Sequence, residues 1–291
     1  MIVWTPQFSP HKRLVGYLRL MLARHRYFDH FAIRHNGGLQ FEIAKVRGYR
    51  YCLRRLYNRY RGRRCFLIGN GPSLKKMALE RLKDEVTIGV NAIYKHFPQM
   101  GFTTNFLLFE DVEQTELRAH EIPRIKGPVK ILSLYNAYAI KSPGPDMLFA
   151  NVRGADKIYW EEEAPMFSTD FAHIVYLGAN VCYLGLQLAY YLGCNPVYLI
   201  GVDHSMKELR RHFPPGKMRI TAENYELIKR YHFSDNYYRI GDLIGIPHFE
   251  LQEQAFGKAR DVYEDNGRRV YNAGVDSLLD VFETVDFESL F

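Results

Sequence analysis

The sequence predicts an α/β fold built around a parallel β-sheet. First, short apolar runs, typical of strands buried on both faces, alternate with segments of helical pattern. Second, polar residues follow directly where several of these runs stop. Third, 47% of the 291 residues are apolar and 14% are aromatic, which suffices for a packed core and excludes a wholly disordered chain.

The N-terminal part differs from the rest of the chain in charge. Residues 1–64 hold fifteen Lys or Arg against Asp29 and Glu42, a balance of +13, whereas the remaining 227 residues carry 24 basic and 30 acidic side chains. We therefore predict two parts, a basic helical extension at 1–62 and an α/β domain at 63–291.

The extension contains two basic segments, 11–27 and 46–64. The first has apolar residues at helical spacing with arginines between them, and the second interleaves tyrosine with arginine. One interpretation is a basic amphipathic surface that docks on anionic lipid, and the other is a pair of solvated helices packed on the domain by Leu and Tyr side chains. Nucleic acid is the weakest partner hypothesis, because the domain itself is acidic.

The elements of the α/β domain follow from its apolar pattern. Six segments are predicted as strands: 65–69, 86–91, 105–110, 129–136, 197–203 and 268–273. Three segments are predicted as helices: 74–83, about 180–192, and 249–267. The polar segment 204–248, rich in His, Arg and Tyr, is interpreted as a lid or an acceptor-binding segment.

Residues 171–202 contain no Asp, Glu, Lys or Arg, as a transmembrane segment would. Cys194-Asn195-Pro196 interrupts this stretch, so we predict a buried helix followed by a buried parallel strand. The four cysteines form no CxxC pair, and the first residues lack the apolar core of a signal peptide. The expected location is therefore the cytoplasm, with the basic extension allowing peripheral attachment to the inner face of the membrane.

The segment Gly69-Asn70-Gly71-Pro72-Ser73, called the glycine loop below, follows the first predicted strand. Its glycines allow close approach of a ligand, and Ser73 can cap the next helix, whose N-terminus favours a phosphate. Because ligands of open α/β sheets bind at the carboxyl ends of the strands, we predict a nucleotide phosphate or ribose here. The motif is neither a Walker A nor a GxGxxG sequence, and the alternative is a plain tight turn with Ser73 as N-cap.

Three other strand ends carry polar side chains. Asn91 closes the second predicted strand, Glu110 and Asp111 close the third, and Asp203 closes the fifth. Such groups could bind the base and the ribose hydroxyls of a nucleotide. Each one taken singly is more often a cap or turn residue, and Asp203 could equally tie down the loop that follows its strand.

Three motifs carry a resemblance to a known family: IGNGPSL at 68–74, VNAIY at 90–94, and LQLAYYLGCNPVYLIGVD at 186–203. They resemble the bacterial sialyltransferases that act on lipooligosaccharide, and more closely the related MptE-like (DUF115) group of 6-hydroxymethylpterin diphosphokinases. The resemblance covers residues 63–291 and not 1–62. It implies a Rossmann-like parallel sheet of the GT-A-variant glycosyltransferase type.

The resemblance also implies roles for individual residues. The glycine loop would contact the phosphate and ribose of CMP, Asn91 would lie near the donor, and the turn Gly178-Ala179-Asn180 would receive the cytidine. The general base would be His248, with His232 as its rival, because a neutral imidazole can take the proton of an acceptor hydroxyl as the sugar leaves CMP.

The chain departs from the family pattern at two places. The family has a Thr-Ser-Gly turn where this chain has residues 178–180, and the tyrosine that follows the family's strand-end Asp is absent. Ser205 stands near the position of that tyrosine, and Arg210, Arg211 or His212 could supply the charge that stabilises a departing phosphate.

The resulting functional expectation is an inverting glycosyltransferase that transfers a sialic-acid-like sugar from a CMP-activated donor to a surface glycan or lipid-linked glycan. No cofactor or metal ion is expected for this reaction, and a homo-oligomer is left open. The first alternative is an ATP-dependent 6-hydroxymethylpterin pyrophosphokinase, which would need Mg²⁺ at Asp111 and Asp203. The second is a nucleotide- or glycan-binding module without catalysis.

Overall fold

The computed structural model describes residues 33–35, 39–41, 43–140, 142–153, 160–161, 164–214, 216–234, 237–246 and 248–291. The basic segment 11–27 lies outside these residues. Four short strand pairs accompany the main sheet among the described residues: Ile33–His35 with Leu39–Phe41, Val152–Arg153 with Val175–Tyr176, Trp160–Glu161 with Ala164–Pro165, and Gly216–Arg219 with Leu243–Ile246.

The centre of the fold is an eight-stranded sheet in which every neighbouring pair is parallel. Its strands are β1 Cys65–Ile68, β2 Val86–Val90, β3 Phe106–Phe109, β4 Val129–Ser133, β5 Met147–Ala150, β6 Val197–Ile200, β7 Val270–Asn272 and β8 Glu283–Thr284. Their order across the sheet is β8-β7-β6-β1-β2-β3-β4-β5. The predicted α/β fold with a Rossmann-like parallel sheet is confirmed.

The order of the strands reverses at β1. Strands β2 to β5 extend the sheet to one side of β1, whereas β6 to β8 lie on its other side. In the register, Cys65 pairs with Val197 and Ile68 pairs with Ile200, so β1 and β6 end at the same level. Such a reversal leaves a crevice beyond the carboxyl ends of the two strands, which is where open α/β sheets bind ligands.

Six α-helices are described: α1 Ile43–Arg54, α2 Phe97–Met100, α3 Val112–Leu117, α4 Val181–Tyr191, α5 Ala222–Ile228 and α6 Phe249–Asp265. Short 3-10 helices lie at Pro72–Lys76, Leu79–Leu82, Asn91–His96, Ile122–Arg124, Leu134–Ala139, Ser205–Arg211, Lys229–Tyr231 and Glu288–Leu290. Helix α4 packs on β1, β2 and β3, and α6 packs on α4.

Helix α4 and strand β6 confirm the interpretation of the charge-free stretch. All eleven residues of α4 and all four of β6 are buried, so the apolar sequence serves the core of the domain. Asn180 begins the helix, because its Oδ1 accepts a hydrogen bond from the backbone N–H of Tyr183 at 3.0 Å. Within the part of the chain that the structure describes, no helix is long and apolar enough to cross a membrane.

The predicted helix at 74–83 is wrong. The chain forms two 3-10 helices there, separated at Met77, which has extended backbone angles. The 3-10 geometry places residues three apart on the same side, so Leu79 and Leu82 are both buried. Two strands were also missed: β5 is a four-residue apolar run in a Pro/Gly-rich stretch, and β8 is an exposed two-residue edge strand with no apolar signal.

Segment 204–248 has structure of its own. Besides α5 it contains the antiparallel strand pair Gly216–Arg219 and Leu243–Ile246. A small core holds it together, made of Leu209, Ile220, Ile228, Ile244 and Ile246. The backbone N–H of Phe233 donates to the carbonyl of Asn70 at 3.0 Å, which fastens the segment to the glycine loop.

Helix α1 covers part of the second basic segment and packs against the sheet. The ring of Tyr49 lies 5.1 Å from that of Phe149 on β5, and Leu53 and Leu56 are buried in the core. For this part of the basic extension, the structure therefore matches the interpretation in which its apolar side chains pack on the domain.

Candidate functional site

A cavity of about 480 Å³ opens beyond the carboxyl ends of the strands. It brings together twelve of the predicted site residues: Gly69, Asn70, Gly71, Asn91, Glu110, Asp111, Ala179, Asn180, Asp203, Ser205, His232 and His248. Six predicted residues do not line it: Pro72, Ser73, Gly178, Arg210, Arg211 and His212. The cavity lies at the reversal between β1 and β6, where strand order predicts a ligand site.

The glycine loop is joined to the segment after β6 by its own backbone. The N–H of Gly69 donates to Ile200 O and the N–H of Gly71 donates to Gly201 O, both at 2.8 Å. A Cβ on Gly69 would lie 2.2 Å from the Gly201 carbonyl oxygen, so this glycine permits two backbones to pack closely. These two N–H groups are thus already bonded within the protein.

Ser73 and Asp203 form a buried pair across the same junction. The Ser73 hydroxyl donates to Asp203 Oδ1 at 2.5 Å, and the Ser73 backbone N–H donates to Asp203 Oδ2 at 2.8 Å. The prediction that Ser73 caps a helix is therefore wrong, because the residue at the N-cap is Gly71 and no side chain caps Pro72–Lys76. Burial raises the pKa of Asp203, and the hydrogen bonds from Ser73 oppose that shift.

The carboxyl groups after β3 lie on the cavity wall. Asp111 begins α3, since its Oδ1 accepts from the N–H of Gln114 at 2.6 Å. Burial and the neighbouring charges of Asp111 and Glu113 raise the pKa of Glu110 to about 8. Burial likewise raises the pKa of Asp111 to about 6. Glu110 is therefore largely protonated near neutral pH and can donate a hydrogen bond.

Two asparagines present unused acceptors. The Nδ2 of Asn70 donates to the Val90 carbonyl at 3.0 Å, and its Oδ1 is buried with no hydrogen-bond partner. The Oδ1 of Asn91 is likewise buried and without a partner, and Asn91 has a positive φ of 49°. Such groups are costly unless they bind something, so they indicate a polar ligand.

The turn at 178–180 is held from two sides. Its carbonyl at Ala179 accepts from Gln252 Nε2 of α6 at 3.0 Å. A Cβ on Gly178 would lie 2.4 Å from the ring of Tyr183, so the glycine packs against α4 and faces away from the cavity. The strand just before the turn is held by the buried Gln187 of α4, whose Oε1 accepts a hydrogen bond from the backbone N–H of Tyr176 at 3.0 Å.

The two candidate bases differ in environment. The imidazole of His232 is buried and stacks on Tyr237, with ring centroids 4.1 Å apart. Burial lowers the pKa of His232 to about 3, which makes it a weak base, and its Nδ1 has no hydrogen-bond partner. His248 is exposed at the rim of the cavity, in the N-cap position of α6.

The four residues proposed to stabilise a phosphate are separated by the structure. Ser205 lines the cavity. Arg210 lies outside it and pairs with Glu250 at 3.4 Å. Arg211 and His212 are exposed and also lie outside the lining. None of the described residues that line the cavity is a lysine or an arginine.

Several lining residues were not anticipated from the sequence. They are Gln114, Tyr231, Tyr237, Tyr238, His204 and Gln252. His204 is buried with a positive φ of 52°; its Nδ1 lies 3.6 Å from Glu253 Oε1, and its Nε2 has no hydrogen-bond partner. The position of His204 directly after Asp203, at a predicted strand end, was the one available sequence signal. Of the others, Gln114 and Gln252 lie on helices and the three tyrosines lie inside the polar segment.

A metal ion would need several His, Cys, Asp or Glu side chains close together. Among the residues that the structure describes, no group of three or more His, Cys, Asp or Glu side chains is placed to hold a metal. The two carboxylates suggested for Mg²⁺ are engaged, Asp111 by the N-terminus of α3 and Asp203 by Ser73. Within the described residues, Asp111 and Asp203 are therefore not part of a preassembled metal-binding cluster.

The fold and the cavity together define a Rossmann-like α/β protein with a candidate site at the switch point of a parallel sheet. The sequence model of the family described as 6-hydroxymethylpterin diphosphokinase MptE-like matches residues 43–208, more than half of the chain. The chain belongs to this family. The matched part runs from α1 to the 3-10 helix after β6 and so includes most of the cavity wall.

Among solved structures, the MAf glycosyltransferase from Magnetospirillum magneticum AMB-1 is similar, with a TM-score of 0.48 and 15% sequence identity. The similarity covers 84% of this chain, and the chain spans 38% of that protein's length. No curated protein matches the chain in sequence.

Proposed function

We propose that the protein is an inverting glycosyltransferase that moves an acidic sugar from a CMP-activated donor to a hydroxyl of a glycan or lipid-linked acceptor. The observation that carries the proposal is the cavity at the switch point, which unites the ends of four strands with unpartnered polar groups and an exposed histidine. A cleft of this size, largely apolar but with several convergent polar groups, suits a nucleotide.

The charge of the cavity favours a donor with one phosphate. The described lining has no Lys or Arg, and the neighbouring carboxyl groups Glu110 and Asp111 have raised pKa values. A triphosphate is normally held by cations and a metal ion. A nucleoside monophosphate linked to a sugar carries much less charge and needs fewer of them.

The chemistry needs one base near the rim. The neutral imidazole of His248 takes the proton of the acceptor hydroxyl as that oxygen attacks the anomeric carbon, and the bond to the CMP oxygen breaks with its electron pair leaving on the phosphate. A single displacement of this kind inverts the anomeric centre. The exposure of His248 at the cavity mouth suits a residue that meets the acceptor and not the donor.

The second candidate is a 6-hydroxymethylpterin diphosphokinase, and the name of the chain's own family favours it. That reaction requires ATP with Mg²⁺, and the engaged carboxylates of Asp111 and Asp203 weigh against it. A binding module without catalysis is the third candidate, since the leaving-group tyrosine of the sialyltransferases that the motifs resemble is absent after Asp203.

A thermal-shift series with CMP, CDP, UDP, GDP and ATP, each with and without Mg²⁺, separates these candidates. The proposal expects CMP to raise the melting temperature without metal. Stabilisation by ATP with Mg²⁺, and not by CMP, would replace it with the diphosphokinase. Binding of CMP without any turnover of a CMP-linked sugar, by acceptor sugars or by water, would leave the binding module.

A further inference from the structure

Arg118 is a buried cation without a counterion. It is 1% exposed, and its guanidinium donates from Nη1 to Gln114 Oε1 at 2.5 Å and from Nη2 to the carbonyl of Tyr237 at 3.0 Å. It also lies 5.1 Å from the centre of the Tyr237 ring, while its Nε has no partner. No carboxylate of the described residues pairs with it. Burying such a charge costs several kcal/mol, so its retention calls for a function.

Arg118 fixes the direction of a hydrogen-bond chain. A guanidinium can only donate, so the amide of Gln114 must turn its Oε1 toward Arg118. Its Nε2 then donates to the hydroxyl of Tyr238 at 3.1 Å. The Tyr238 oxygen is therefore an acceptor in this chain, and among the described residues its own proton has no acceptor.

The hydroxyl of Tyr238 meets the cavity through its partner Gln114. Both Gln114 and Tyr238 line it. Burial raises the pKa of Tyr238 well above its ordinary value, so the hydroxyl keeps its proton. The ring is held in place by edge contacts with His232 at 5.0 Å and with Tyr237 at 4.7 Å between centroids.

No cation lines the described cavity, and three backbone donors of the glycine loop are already bonded within the protein. The described lining contains no Lys or Arg, and two N–H groups of the glycine loop, those of Gly69 and Gly71, are bonded to carbonyls after β6. The N–H of Ser73 is bonded to Asp203. Arg118 is thus a positive charge outside the described lining that is joined to Tyr238 of the wall through Gln114.

We propose that the Tyr238 hydroxyl is the anion-binding donor of this cavity and that Arg118, acting through Gln114, orients and polarises it. The ligand group is a phosphate or a carboxylate. Identifying it as the phosphate of a nucleotide donor rests on the function proposed above, whereas the donor itself follows from the hydrogen-bond chain. Tyr238 would touch the ligand, and Gln114 and Arg118 would position it.

The test compares ligands with and without the anion. In the wild-type protein, isothermal titration of CMP, cytidine and free N-acetylneuraminate separates a phosphate from a carboxylate as the bound group. Loss of a hydrogen bond to a charged group should weaken CMP binding about 10- to 100-fold in Tyr238→Phe, with cytidine binding unchanged. If the loss falls on N-acetylneuraminate instead, the anion is the carboxylate.

Gln114→Glu supplies a second, nearly isosteric variant. The introduced carboxylate pairs with Arg118 and can only accept from Tyr238, so the hydroxyl turns its proton away from the cavity. Anion binding should fall as it does in Tyr238→Phe although the tyrosine is retained. Tyr231→Phe is the matched control, because this lining tyrosine already contacts Glu208 Oε2 at 3.3 Å and should leave the CMP-to-cytidine ratio unchanged.

If the CMP-to-cytidine ratio and the binding of N-acetylneuraminate relative to cytidine are both unchanged in Tyr238→Phe and in Gln114→Glu, the proposal is overturned. Damage to the fold cannot imitate a positive result, since it weakens all three ligands together. If wild-type protein binds ATP with Mg²⁺ and no cytidine compound, the proposed glycosyltransferase function is wrong, but the proposal for Tyr238 is not yet tested by that result. The same ratio measured with ATP and adenosine then tests the role of Tyr238 on its own.

Discussion

The carboxylate of Asp203 accepts two hydrogen bonds from Ser73, a residue 130 positions earlier in the chain. This pair joins the loop after β1 to the loop after β6 at the point where the strand order reverses. It also places the carboxylate directly against the Cα of Gly71, which therefore has no room for a side chain. The glycines of the loop are thus explained in part by packing within the protein.

Gly71→Ala should destabilise the protein. A Cβ would lie 2.3 Å from Asp203 Oδ2, and Gly71 has an ordinary φ of −71°, so the cost is steric overlap alone. We expect the free energy of unfolding to fall by about 1–3 kcal/mol, measured by urea denaturation. Gly257→Ala is the control, since open space surrounds this glycine within α6 and the change should stabilise by about 0.5–1 kcal/mol. Equal stability of Gly71→Ala and wild type would show that Asp203 can move aside.

Glu110 should make stability depend on pH. Its pKa is raised from 4.5 to about 8, so between these values the folded chain binds a proton that the unfolded chain releases. The free energy of unfolding should therefore fall as the pH rises through this window, by up to about 1.4 kcal/mol per unit. Glu110→Gln removes this pH-dependent contribution. The free energy of unfolding of the variant, relative to that of wild type, should therefore rise from pH 5 to pH 8.

Denaturation curves at each pH provide the measurement, with the exposed Glu80→Gln as the control. The difference between Glu80→Gln and wild type should stay constant across the range. Parallel pH profiles for Glu110→Gln and wild type would contradict the assignment of a raised pKa to Glu110.

The strands and the polar residues at their ends could be predicted because both are local signals. A buried parallel strand is a short apolar run, and the residue after it lies at the edge where ligands bind, which located Asn91, Glu110 and Asp203. The chain from Arg118 to Tyr238 could not be predicted. It joins a helix to the polar segment across more than a hundred residues, and no spacing rule relates the two.

The basic segment 11–27 should attach the protein to anionic lipid. Each basic residue near a charged surface contributes about 1 kcal/mol, so replacing Lys12, Arg13, Arg19, Arg24 and Arg26 by Gln should weaken binding to phosphatidylserine vesicles by roughly several thousandfold. Co-sedimentation of the full-length chain is the measurement. Truncation at residue 63 is unsuitable, because it removes Leu53 and Leu56 from the core.

The control for this experiment carries five Gln substitutions at exposed basic residues of the domain: Lys75, Lys83, Arg124, Lys126 and Arg211. These should leave vesicle binding within a few-fold of wild type. If both sets of substitutions weaken binding equally, attachment reflects overall charge and the segment has no special part in it.

His248→Ala should lose turnover while keeping nucleotide affinity. Under the proposed glycosyltransferase reaction, His248 at the cavity rim accepts the proton of the acceptor hydroxyl, and removing a positioned base costs about 10²- to 10⁴-fold in rate. Wild-type turnover should also fall on acidification, because a protonated imidazole cannot accept a proton, and the residual rate of His248→Ala should not.

Two other histidines provide the controls. His212 is exposed and outside the cavity lining, so His212→Ala should behave as wild type. His232→Ala should lower stability more than turnover, since that ring is buried against Tyr237 and its pKa of about 3 makes it a poor base. Near-normal turnover of His248→Ala together with an inactive but folded His232→Ala would transfer the role to His232.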